Sequence, residues 1–434
     1  MKRRNFLGAV AGTTMLAGGI PRLSTAQAAA KTDGLKIGDH SIEALLKQYR
    51  YDLFDDFLPF MEKYVIDHEI GGFMCATDRD GTHINTEKKA WYEGRGTWVY
   101  SFLYNHLARE PKYLDVAARS VNFLLKNLPA EWPWPAGFTR DGKPLGGPSD
   151  IYGYLFIAEG LAEYSKAIGD KKYWDMAKEI VMKCLRQYDA PDYDYHVTYG
   201  PEVAPMPGER VIGHWMVLVR ASTQMLEMHP DPDLEKLAAR CVEAILDKHY
   251  NPAYGLTNEV LNHDLSRPTN EFSQFVYTGH VIETLWMVMA EAVRLKNRKL
   301  VEKTAGQFQR HVEVAWDDVY GGVFHGLNHV DKNIWRVEKV LWAQAEVLVG
   351  ALIVVEHLGA SWAAGMFEKM YDYVMSTYPL KKYGFPLWME GGDRTMTFKN
   401  HASRVENYHH PRHLMLNILA LERMGKRGGR SPVS

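Results

Sequence analysis

The hydrophobic pattern of the chain alternates between two kinds of helical segment. Segments of the first kind have apolar residues at spacings of three and four and a charged face, as expected of helices between a core and solvent. They are IEALLKQYRYDLFDDFLPFMEKYV, YLDVAARSVNFLLKNL, KKYWDMAKEIVMKCLRQY, DLEKLAARCVEAILDKHY, KLVEKTAGQFQRHVEVAW and SWAAGMFEKMYDYVMSTY. Segments of the second kind are apolar on nearly every side, so they are predicted to be buried. They are WYEGRGTWVYSFLYNHL, SDIYGYLFIAEGLAEYSKAIG, VIGHWMVLVRASTQML, GHVIETLWMVMAEAVRL, VEKVLWAQAEVLVGALIVVEHL and YHHPRHLMLNILALERM.

A glycine- and aromatic-rich phrase recurs along the chain at intervals of roughly sixty residues. Each copy is a Gly/aromatic turn, often followed by a short alternating stretch and a polar reversal, which is typical of a small β-hairpin. The copies are GGFMCATDRDG from Gly71, AGFTRDGKPLGG from Ala136, YDYHVTYG from Tyr193, YGLTNEVLNHD from Tyr254, YGGVFHGLNHVDK from Tyr320 and YGFPLWMEGGDR from Tyr383. The pattern predicts six copies of one unit, each with two helices and a hairpin.

Six outer and six inner helices predict an all-α fold, the (α/α)6 barrel, with short β-hairpins in the loops at one end. A linear solenoid is the structural alternative, but it requires polar capping repeats at both ends, and the sequence has none. We expect the barrel domain over residues 41–425, because no linker or change in composition divides this range. The inner helices of such a barrel run parallel, so their N-termini meet at one end.

Polar and aromatic side chains are concentrated at the predicted N-termini of the inner helices. They are Trp91, Glu93, Arg95, Asp150, Tyr152, His214, His280, Glu283, Trp342, Gln344, Glu346, His409, His410 and Arg412. Helix N-termini also contribute unpaired N–H groups and the positive end of the helix dipole. Acids, bases, cations and rings around one funnel are what a site for a polar small molecule requires.

Two inner helices place a pair of functional side chains on one face. His280 and Glu283 lie three residues apart, while Trp342 and Glu346 lie four apart. Taken alone, a capping histidine, a core tryptophan or a solvated glutamate explains each residue. A solvated face fits poorly beside His280, because the segment LWMVMA that follows is apolar. Arg95 lies on an otherwise small and aromatic helix, where a buried guanidinium needs an anion or a carbonyl-rich partner.

The charge balance argues against a polyanionic partner. The chain has 51 basic and 53 acidic residues and a formal net charge of −2, so binding of nucleic acid is not expected. No phosphate loop is present, and no cofactor is expected.

The histidine-rich segment NYHHPRHL is not expected to bind metal. Motifs such as HExxH are absent from the chain. His409 and His410 are adjacent, so their side chains diverge by about 100° around a helix.

The three cysteines do not form a disulfide framework. Cys75, Cys184 and Cys241 are widely spaced, flanked by apolar residues and odd in number. We expect buried free thiols, and the sequence requires no disulfide.

The first residues differ in character from the rest. MKRRNFLGAVAGTTMLAGG begins with Arg3 and Arg4, continues through a short apolar run and leads to an Ala-Gln-Ala site. This pattern predicts a twin-arginine signal peptide over residues 1–28 and a periplasmic or secreted protein. The apolar run is too short for a stable membrane anchor. We expect residues 29–40 to be flexible and residues 426–434 to form a disordered basic tail.

The motifs, taken in order, resemble those of the N-acylglucosamine 2-epimerase superfamily, which includes cellobiose 2-epimerases and mannose-type aldose–ketose isomerases. KAWYEGRGTWVYSF is similar to the family's Trp-x-x-x-Arg helix, and GHVIETLW to its Gly-His-x-x-Glu signature. EKVLWAQAE is similar to the Lys-x-x-Trp-x-x-x-Glu segment, and YHHPRHL to the His-x-Pro-Arg ending. The resemblance covers nearly the whole chain after the signal and implies that His280 and His409 are the catalytic residues.

The expected substrate-binding residues follow from the same motifs and from the predicted funnel. They are Arg95, Glu283, Trp342, Glu346, Trp91, His214, Tyr408 and Arg412. The sequence departs from the family pattern at Thr278, where proline is usual before Gly-His. It also reads GFPLW where the family has Gly-Glu-Trp, which loses an acid.

The resemblance implies a sugar 2-epimerase that deprotonates and reprotonates C2 of an open-chain aldose through an enediolate. An aldose–ketose isomerase on the same site is the first alternative. A glycoside hydrolase of (α/α)6 fold that uses Asp150, Glu283 and Glu346 is the second, and a non-catalytic sugar-binding protein is the third. The expected partner is a small carbohydrate, and the expected assembly is a monomer or a homodimer.

Overall fold

The computed structural model describes residues 34–197 and 206–428. The predicted signal peptide over residues 1–28 lies outside these ranges, as do residues 29–33 of the predicted flexible segment and residues 429–434 of the predicted tail.

The helices of the described residues follow the two predicted classes in strict alternation. The outer helices are α1 (Ile42–Tyr51, continued by helical turns over Asp52–Phe57, Leu58–Phe60 and Met61–Val65), α3 (Pro111–Asn127), α5 (Lys171–Asp189), α7 (Pro232–Glu243, continued over Ala244–His249), α9 (Arg298–Ala315) and α11 (Ser361–Thr377). The inner helices are α2 (Ala90–His106), α4 (Ile151–Ile168), α6 (Ile212–Met228), α8 (Thr278–Arg294), α10 (Leu341–Leu358) and α12 (His409–Lys426).

The inner helices form a closed ring. Each one packs against the next, and α12 contacts α2, which joins the last inner helix to the first. Trp98, Trp215 and Trp286 on three inner helices are at most 1% exposed, because neighbouring helices surround these segments on every side. The predicted (α/α)6 barrel is therefore confirmed.

Local chemistry fixes where several inner helices begin and end. The Asp150 carboxylate accepts the Gly153 backbone N–H at 2.9 Å and caps the start of α4. Gly169 and Gly359 end α4 and α10 with φ of 69° and 65°, in the left-handed region that glycine adopts without a Cβ penalty. These caps hold each inner helix to a defined length.

Short strands connect the helices. They are Lys36–Ile37, His40–Ser41, Lys88–Lys89, Pro135–Phe138, Pro144–Pro148, Tyr195–Val197, Met206–Gly208, Arg210–Val211, Tyr250–Asn251, Leu256–Thr257, Val260–Leu261, Gly326–His329, Ile334–Arg336, Lys339–Val340 and Gly391–Gly392. All the pairings between these strands are antiparallel.

Local hairpins form at the phrases from Ala136, Tyr193 and Tyr320, and around Tyr254, where Tyr250–Asn251 pairs with Leu256–Thr257. The next strand of the phrase from Tyr254, Val260–Leu261, pairs with Arg210–Val211 of the preceding repeat. The phrase from Tyr383 supplies Gly391–Gly392, which pairs with Lys339–Val340. Such cross-repeat pairing ties neighbouring loops together at the N-terminal end of the inner helices.

The ends of the described chain are more ordered than expected. Residues 36–41 form a small antiparallel hairpin, and Ile37 is 1% exposed, so this part of the predicted flexible segment packs on the barrel. The helix α12 continues to Lys426, the first residue of the predicted tail. Cys75, Cys184 and Cys241 are buried free thiols, as predicted.

Within the described residues, one helix is long and apolar enough to cross a membrane, Leu341–Leu358. It is the inner helix α10, and most of it is buried inside the barrel.

Candidate active site

The N-terminal halves of the inner helices surround a cavity of about 620 Å³. This volume lies in the usual range for small-ligand sites. Eight of the ten predicted site residues line it, namely Trp91, Arg95, His280, Glu283, Trp342, Tyr408, His409 and Arg412. Glu346 lies beneath the cavity and His214 behind its wall. The convergence that parallel inner helices predict is therefore present.

The two predicted catalytic histidines line the same cavity, and each imidazole contacts the Trp342 indole. The Trp342 ring centroid lies 5.8 Å from that of His280 and 5.7 Å from that of His409. Both imidazoles are largely buried, with 19% and 12% of their side chains exposed. A residue from α8 and one from α12, 129 positions apart, thus share one small space.

Each histidine has a carboxylate beside its Nδ1 atom. His280 Nδ1 lies 3.1 Å from Glu259 Oε1, and His409 Nδ1 lies 3.2 Å from Glu406 Oε1. His409 Nε2 lies 3.8 Å from Glu283 Oε1. Burial lowers the pKa of His409 below its ordinary value, while Glu406 acts in the opposite direction. A carboxylate beside an imidazole orients the ring and stabilises its protonated form.

Arg412 joins two buried glutamates beneath the cavity. One terminal nitrogen of its guanidinium donates to Glu283 Oε1 at 2.5 Å and to Glu346 Oε1 at 2.6 Å. Trp286 Nε1 donates to the other oxygen of Glu346 at 2.6 Å. Burial would raise the pKa of Glu283, but Arg412 and His409 hold it below its usual value. Burial raises the pKa of Glu346 to about 8, although Arg412 acts in the opposite direction.

Arg95 projects from α2 into an aromatic pocket on the opposite wall. Its guanidinium carbon lies 4.1 Å from the Phe156 ring centroid, 5.1 Å from Trp91 and 4.9 Å from Tyr408. Its Nη1 atom donates to Glu406 Oε1 at 3.3 Å. Arg95 Nε is buried and has no hydrogen-bond partner in the structure. The cation is held by ring faces and one carboxylate, and it remains available to a polar ligand.

The remaining wall residues are fixed by hydrogen bonds. Trp91 Nε1 donates to Asp150 Oδ1 at 2.8 Å, so the cap of α4 also orients this indole. The Tyr408 hydroxyl donates to Glu159 Oε2 at 2.7 Å. Trp91 and Tyr408 are therefore held rigidly in the cavity wall, where they were predicted.

His214 does not line the cavity. It is fully buried behind the Tyr152 and Tyr195 rings, whose centroids lie 4.8 and 4.7 Å from its own. Burial lowers its pKa to about 3, so the ring is neutral. The side chain of His214 supports the tyrosines that form the wall, and its expected contact with a substrate stays a prediction.

His410 does not line the main cavity, although it lines the smaller neighbouring one together with Trp388 and His409. It packs against Trp388 and Phe57 at ring-centroid distances of 4.4 and 5.5 Å, and burial lowers its pKa to about 3. The two adjacent histidines diverge, as the helical geometry predicts.

Glu283, Glu346 and His409 place ligand atoms within 4.8 Å of one another, a spacing that suits a metal ion. Arg412 already supplies a positive charge between the two carboxylates at hydrogen-bond distance. The guanidinium of Arg412 thus balances the negative charge of the glutamates that a metal ion would otherwise neutralise.

Sequence reasoning missed the carboxylates of Glu259, Glu406 and Glu390. Glu259 lies inside the fourth recurring phrase, and Glu406 stands three residues before His409. Their roles depend on loops that fold back over the helix N-termini, which helical periodicity does not reveal. Glu390 lies two residues after the GFPLW segment and lines a smaller cavity of about 240 Å³ that shares Trp342, Glu406 and His409 with the main one. The last loop therefore contains an acidic residue, Glu390, which lies after Trp388 and not before it as in the Gly-Glu-Trp pattern.

Comparison with known proteins agrees with the fold and identifies the family. The family model for N-acylglucosamine 2-epimerase (GlcNAc 2-epimerase) matches residues 71–411. The N-acylglucosamine 2-epimerase of Bos taurus is 24% identical over 336 residues, or 73% of this chain and 77% of the bovine protein.

Two solved structures share the barrel. The cellobiose 2-epimerase of Bacillus thermoamylovorans B4167 superposes with a TM-score of 0.75 at 18% identity, over 87% of this chain and 99% of that one. A D-mannose isomerase superposes with a TM-score of 0.70 at 15% identity, over 88% and 97%. Since the family match spans most of the sequence, the chain belongs to the N-acylglucosamine 2-epimerase family and is an enzyme of the carbohydrate epimerase and isomerase class.

Proposed function

We propose that the protein is a sugar 2-epimerase in which His280 and His409 exchange the proton at C2 of an open-chain aldose. The observation that carries this proposal is that both imidazoles line one cavity, where each also contacts the Trp342 indole. Inversion at C2 requires a base on one face of the carbon and an acid on the other. A single side chain does not readily reach both faces, and two histidines do.

The proton balance is simple. One neutral imidazole removes the C2 proton, which lies alpha to the C1 carbonyl, and the electron pair moves to form an enediolate. The second histidine, protonated, returns a proton to the opposite face of C2. An imidazole with an ordinary pKa of about 6.5 serves in either role near neutral pH. No redox change takes place.

Arg95 is the proposed stabiliser of the enediolate. Its guanidinium lies in the cavity wall among aromatic rings, where a fixed cation interacts more strongly with a developing oxyanion than it does in water. Trp342 offers its ring face to the C–H groups of the sugar. Glu283 and Arg412 line the cavity and hold sugar hydroxyls or assist the opening of the ring, while Glu346 positions Arg412 from beneath.

A glycoside hydrolase built on Glu283 and Glu346 fits the geometry less well. Paired carboxylates in such enzymes flank a scissile bond at separations of about 5–5.5 Å or 6.5–9.5 Å. Here one guanidinium nitrogen of Arg412 binds both carboxylates, at 2.5 and 2.6 Å, beneath the cavity. This arrangement leaves no room for a glycosidic oxygen between them.

An aldose–ketose isomerase uses the same enediolate and returns the proton to C1. Incubation in D₂O with mannose, glucose, N-acetylmannosamine and cellobiose separates the possibilities. Deuterium at C2 together with the epimer supports the proposal, a ketose product supports isomerisation, and chain cleavage supports hydrolysis. Absence of deuterium exchange with every sugar, in a protein that still binds one of them, contradicts the proposal and favours a binding protein.

The histidine roles are tested by substitution. His280→Asn and His409→Asn are expected to abolish deuterium incorporation at C2 while sugar binding, measured by calorimetry, is retained. His410→Asn is the matched control, because His410 is adjacent in sequence but faces Trp388 rather than the cavity. Equal losses in all three variants, with an intact fold by circular dichroism, would contradict the assignment.

A further inference from the structure

Glu406 touches both the imidazole of His409 and the guanidinium of Arg95. We propose that Glu406 is a positioning residue, a carboxylate that fixes the acid–base group and the oxyanion-stabilising cation relative to each other. This inference takes the roles of His409 and Arg95 from the proposed function, whereas the contacts that Glu406 makes with them are seen in the structure. It assigns a role to a residue that none of the recognised motifs contains.

One oxygen of Glu406 anchors the carboxylate to the start of α12. Oε2 accepts the backbone N–H groups of Tyr408 at 3.0 Å and of His409 at 2.7 Å. The backbone N–H of Glu406 itself donates to Glu390 Oε1 at 2.7 Å. The side chain is therefore tied at both ends and has little freedom to follow a ligand.

The other oxygen faces the cavity. Oε1 lies 3.2 Å from His409 Nδ1 and 3.3 Å from Arg95 Nη1. Only 13% of the Glu406 side chain is exposed, so solvent screens these interactions weakly. Burial raises the pKa of Glu406, but His409 and Arg95 outweigh this effect and hold it well below the usual range. The same two cations therefore favour the anionic form of Glu406.

The charges around His409 come from three inner helices and the loop before α12. Glu283 on α8 lies 3.8 Å from Nε2, and Arg412 on α12 is paired to that glutamate. Arg95 on α2 opposes protonation of His409, and Glu406 favours it. The neighbours on α10 are the uncharged Trp342 ring and Glu346, whose carboxyl group lies within 4.8 Å of a ring nitrogen of His409. Glu406 is thus the closest anion to His409 and lies on the side away from Glu283.

This arrangement has a consequence for proton transfer. When His409 accepts the C2 proton, the imidazolium forms against a fixed carboxylate and needs little reorganisation of its surroundings. At the same time the same carboxylate holds Arg95 in place through one hydrogen bond. Loss of the negative charge therefore lowers the pKa of His409 and loosens Arg95 together.

The test uses Glu406→Gln in the full-length protein, with Glu390→Gln as the matched control. Glu390 binds the backbone of Glu406 and lies 3.4 Å from Arg404, but has no contact with His409 or Arg95 in the structure. The first readout is the ¹³Cε1 chemical shift of labelled histidine against pH, with the His409 signal assigned from His409→Asn. The second readout is the pH dependence of kcat and kcat/KM for C2 exchange in both directions of epimerisation.

In Glu406→Gln we expect the His409 titration to move to lower pH by about one unit or more. The part of the pH–rate profile that His409 governs should also move to lower pH. In the direction of epimerisation in which His409 is the acid, this is the fall in rate at alkaline pH. In the reverse direction, in which His409 is the base, it is the fall in rate at acidic pH. Glu390→Gln should leave both limbs in place.

An unchanged His409 titration in Glu406→Gln overturns the inference, as does a uniform fall in rate with both limbs unmoved. The histidine titration needs no turnover, so it decides the role of Glu406 even if no sugar is epimerised. Failure of the proposed function would appear separately, as a wild-type enzyme that exchanges no C2 proton.

Discussion

The indole of Trp342 and the imidazole of His409 lie against each other with centroids 5.7 Å apart and planes inclined by 36°. The imidazole of His280 contacts the same indole, at a centroid distance of 5.8 Å. Trp342 therefore contacts both proposed acid–base groups and lines the cavity together with them.

Replacement of Trp342 by alanine is expected to lower kcat/KM for C2 exchange by about tenfold or more, because a stacking surface at the centre of the site is lost. Trp342→Phe should recover part of the loss. Steady-state kinetics with the best sugar measure both effects. Trp335→Ala, in the hairpin after Gly326–His329, is the control and should have near wild-type kinetics. If Trp342→Ala matched that control, the stacking role would be excluded.

The second prediction concerns Gly279, where α8 approaches the Trp342 ring. A Cβ at this position would lie 2.5 Å from the nearest ring atom. Gly279→Ala therefore displaces the indole and the histidine that follows, and kcat is expected to fall about 100-fold, as for an ångström-scale misplacement in an active site. Gly306→Ala on the outer helix α9 is the control, since nothing lies within 4 Å of the added carbon. Wild-type activity in Gly279→Ala would mean that Trp342 tolerates displacement.

A third prediction concerns a buried ion cluster below the fifth recurring phrase. Asp317 lies 2.8 Å from both Lys339 Nζ and the Arg394 guanidinium. Arg394 and Lys339 hold the pKa of Asp317 well below its usual range despite burial. Asp317→Asn leaves the fully buried Lys339 ammonium without its anion and should lower the free energy of unfolding by about 3–5 kcal/mol.

Urea denaturation at pH 7 measures this loss, and Asp318→Asn, one residue along, serves as the control. Because the folded pKa of Asp317 is depressed, its contribution is present above the unfolded pKa of about 3.9 and is lost as the pH falls below it. The difference between wild type and Asp317→Asn should therefore shrink in acid. A difference that stays constant down to pH 3 would exclude the ion pair as its source.

The fourth prediction follows from the pKa of about 8 at Glu346. The ordinary pKa of a glutamate is 4.5, and in the fold the pKa of Glu346 is about 8. Between pH 4.5 and pH 8, the folded state therefore keeps a proton on Glu346 that the unfolded state releases. The contribution of this group to stability is therefore greatest below pH 4.5 and falls as the pH rises through that window. Denaturation curves of wild type and Glu346→Gln at pH 5, 7 and 8.5 isolate the effect. Parallel stabilities for the two proteins across this range would show that Glu346 is ionised in the fold.

The fifth prediction concerns export. Replacement of Arg3 and Arg4 by lysine should retain the protein in the cytoplasm, because the export machinery recognises the arginine pair. Cell fractionation and immunoblotting measure the distribution, and Arg22→Lys is the control. Normal export of the double variant would indicate a route that does not depend on the twin arginines.

The sequence by itself determined the architecture. Two classes of helix differ in whether a polar face is present, and a helix without one must be surrounded, so the periodicity of the chain already separates inner from outer helices. The same reasoning placed His280, Trp342 and His409 at helix N-termini and sent His410 to the other face. These are properties of single helices, which local spacing specifies.

Only the tertiary structure decided which groups surround each catalytic side chain. Glu259 and Glu406 reach the histidines from loops at the mouth of the barrel. The path of a loop cannot be predicted from sequence periodicity, because a loop has no repeating hydrophobic pattern. His214 meets every local criterion of a site residue, yet the Tyr152 and Tyr195 rings stand between it and the cavity. The pKa of Glu346 is raised because burial outweighs the effect of the Arg412 guanidinium, a balance that depends on distances across three helices. Burial and charge pairing depend on all the residues that surround a side chain, and the tertiary fold determines which residues these are.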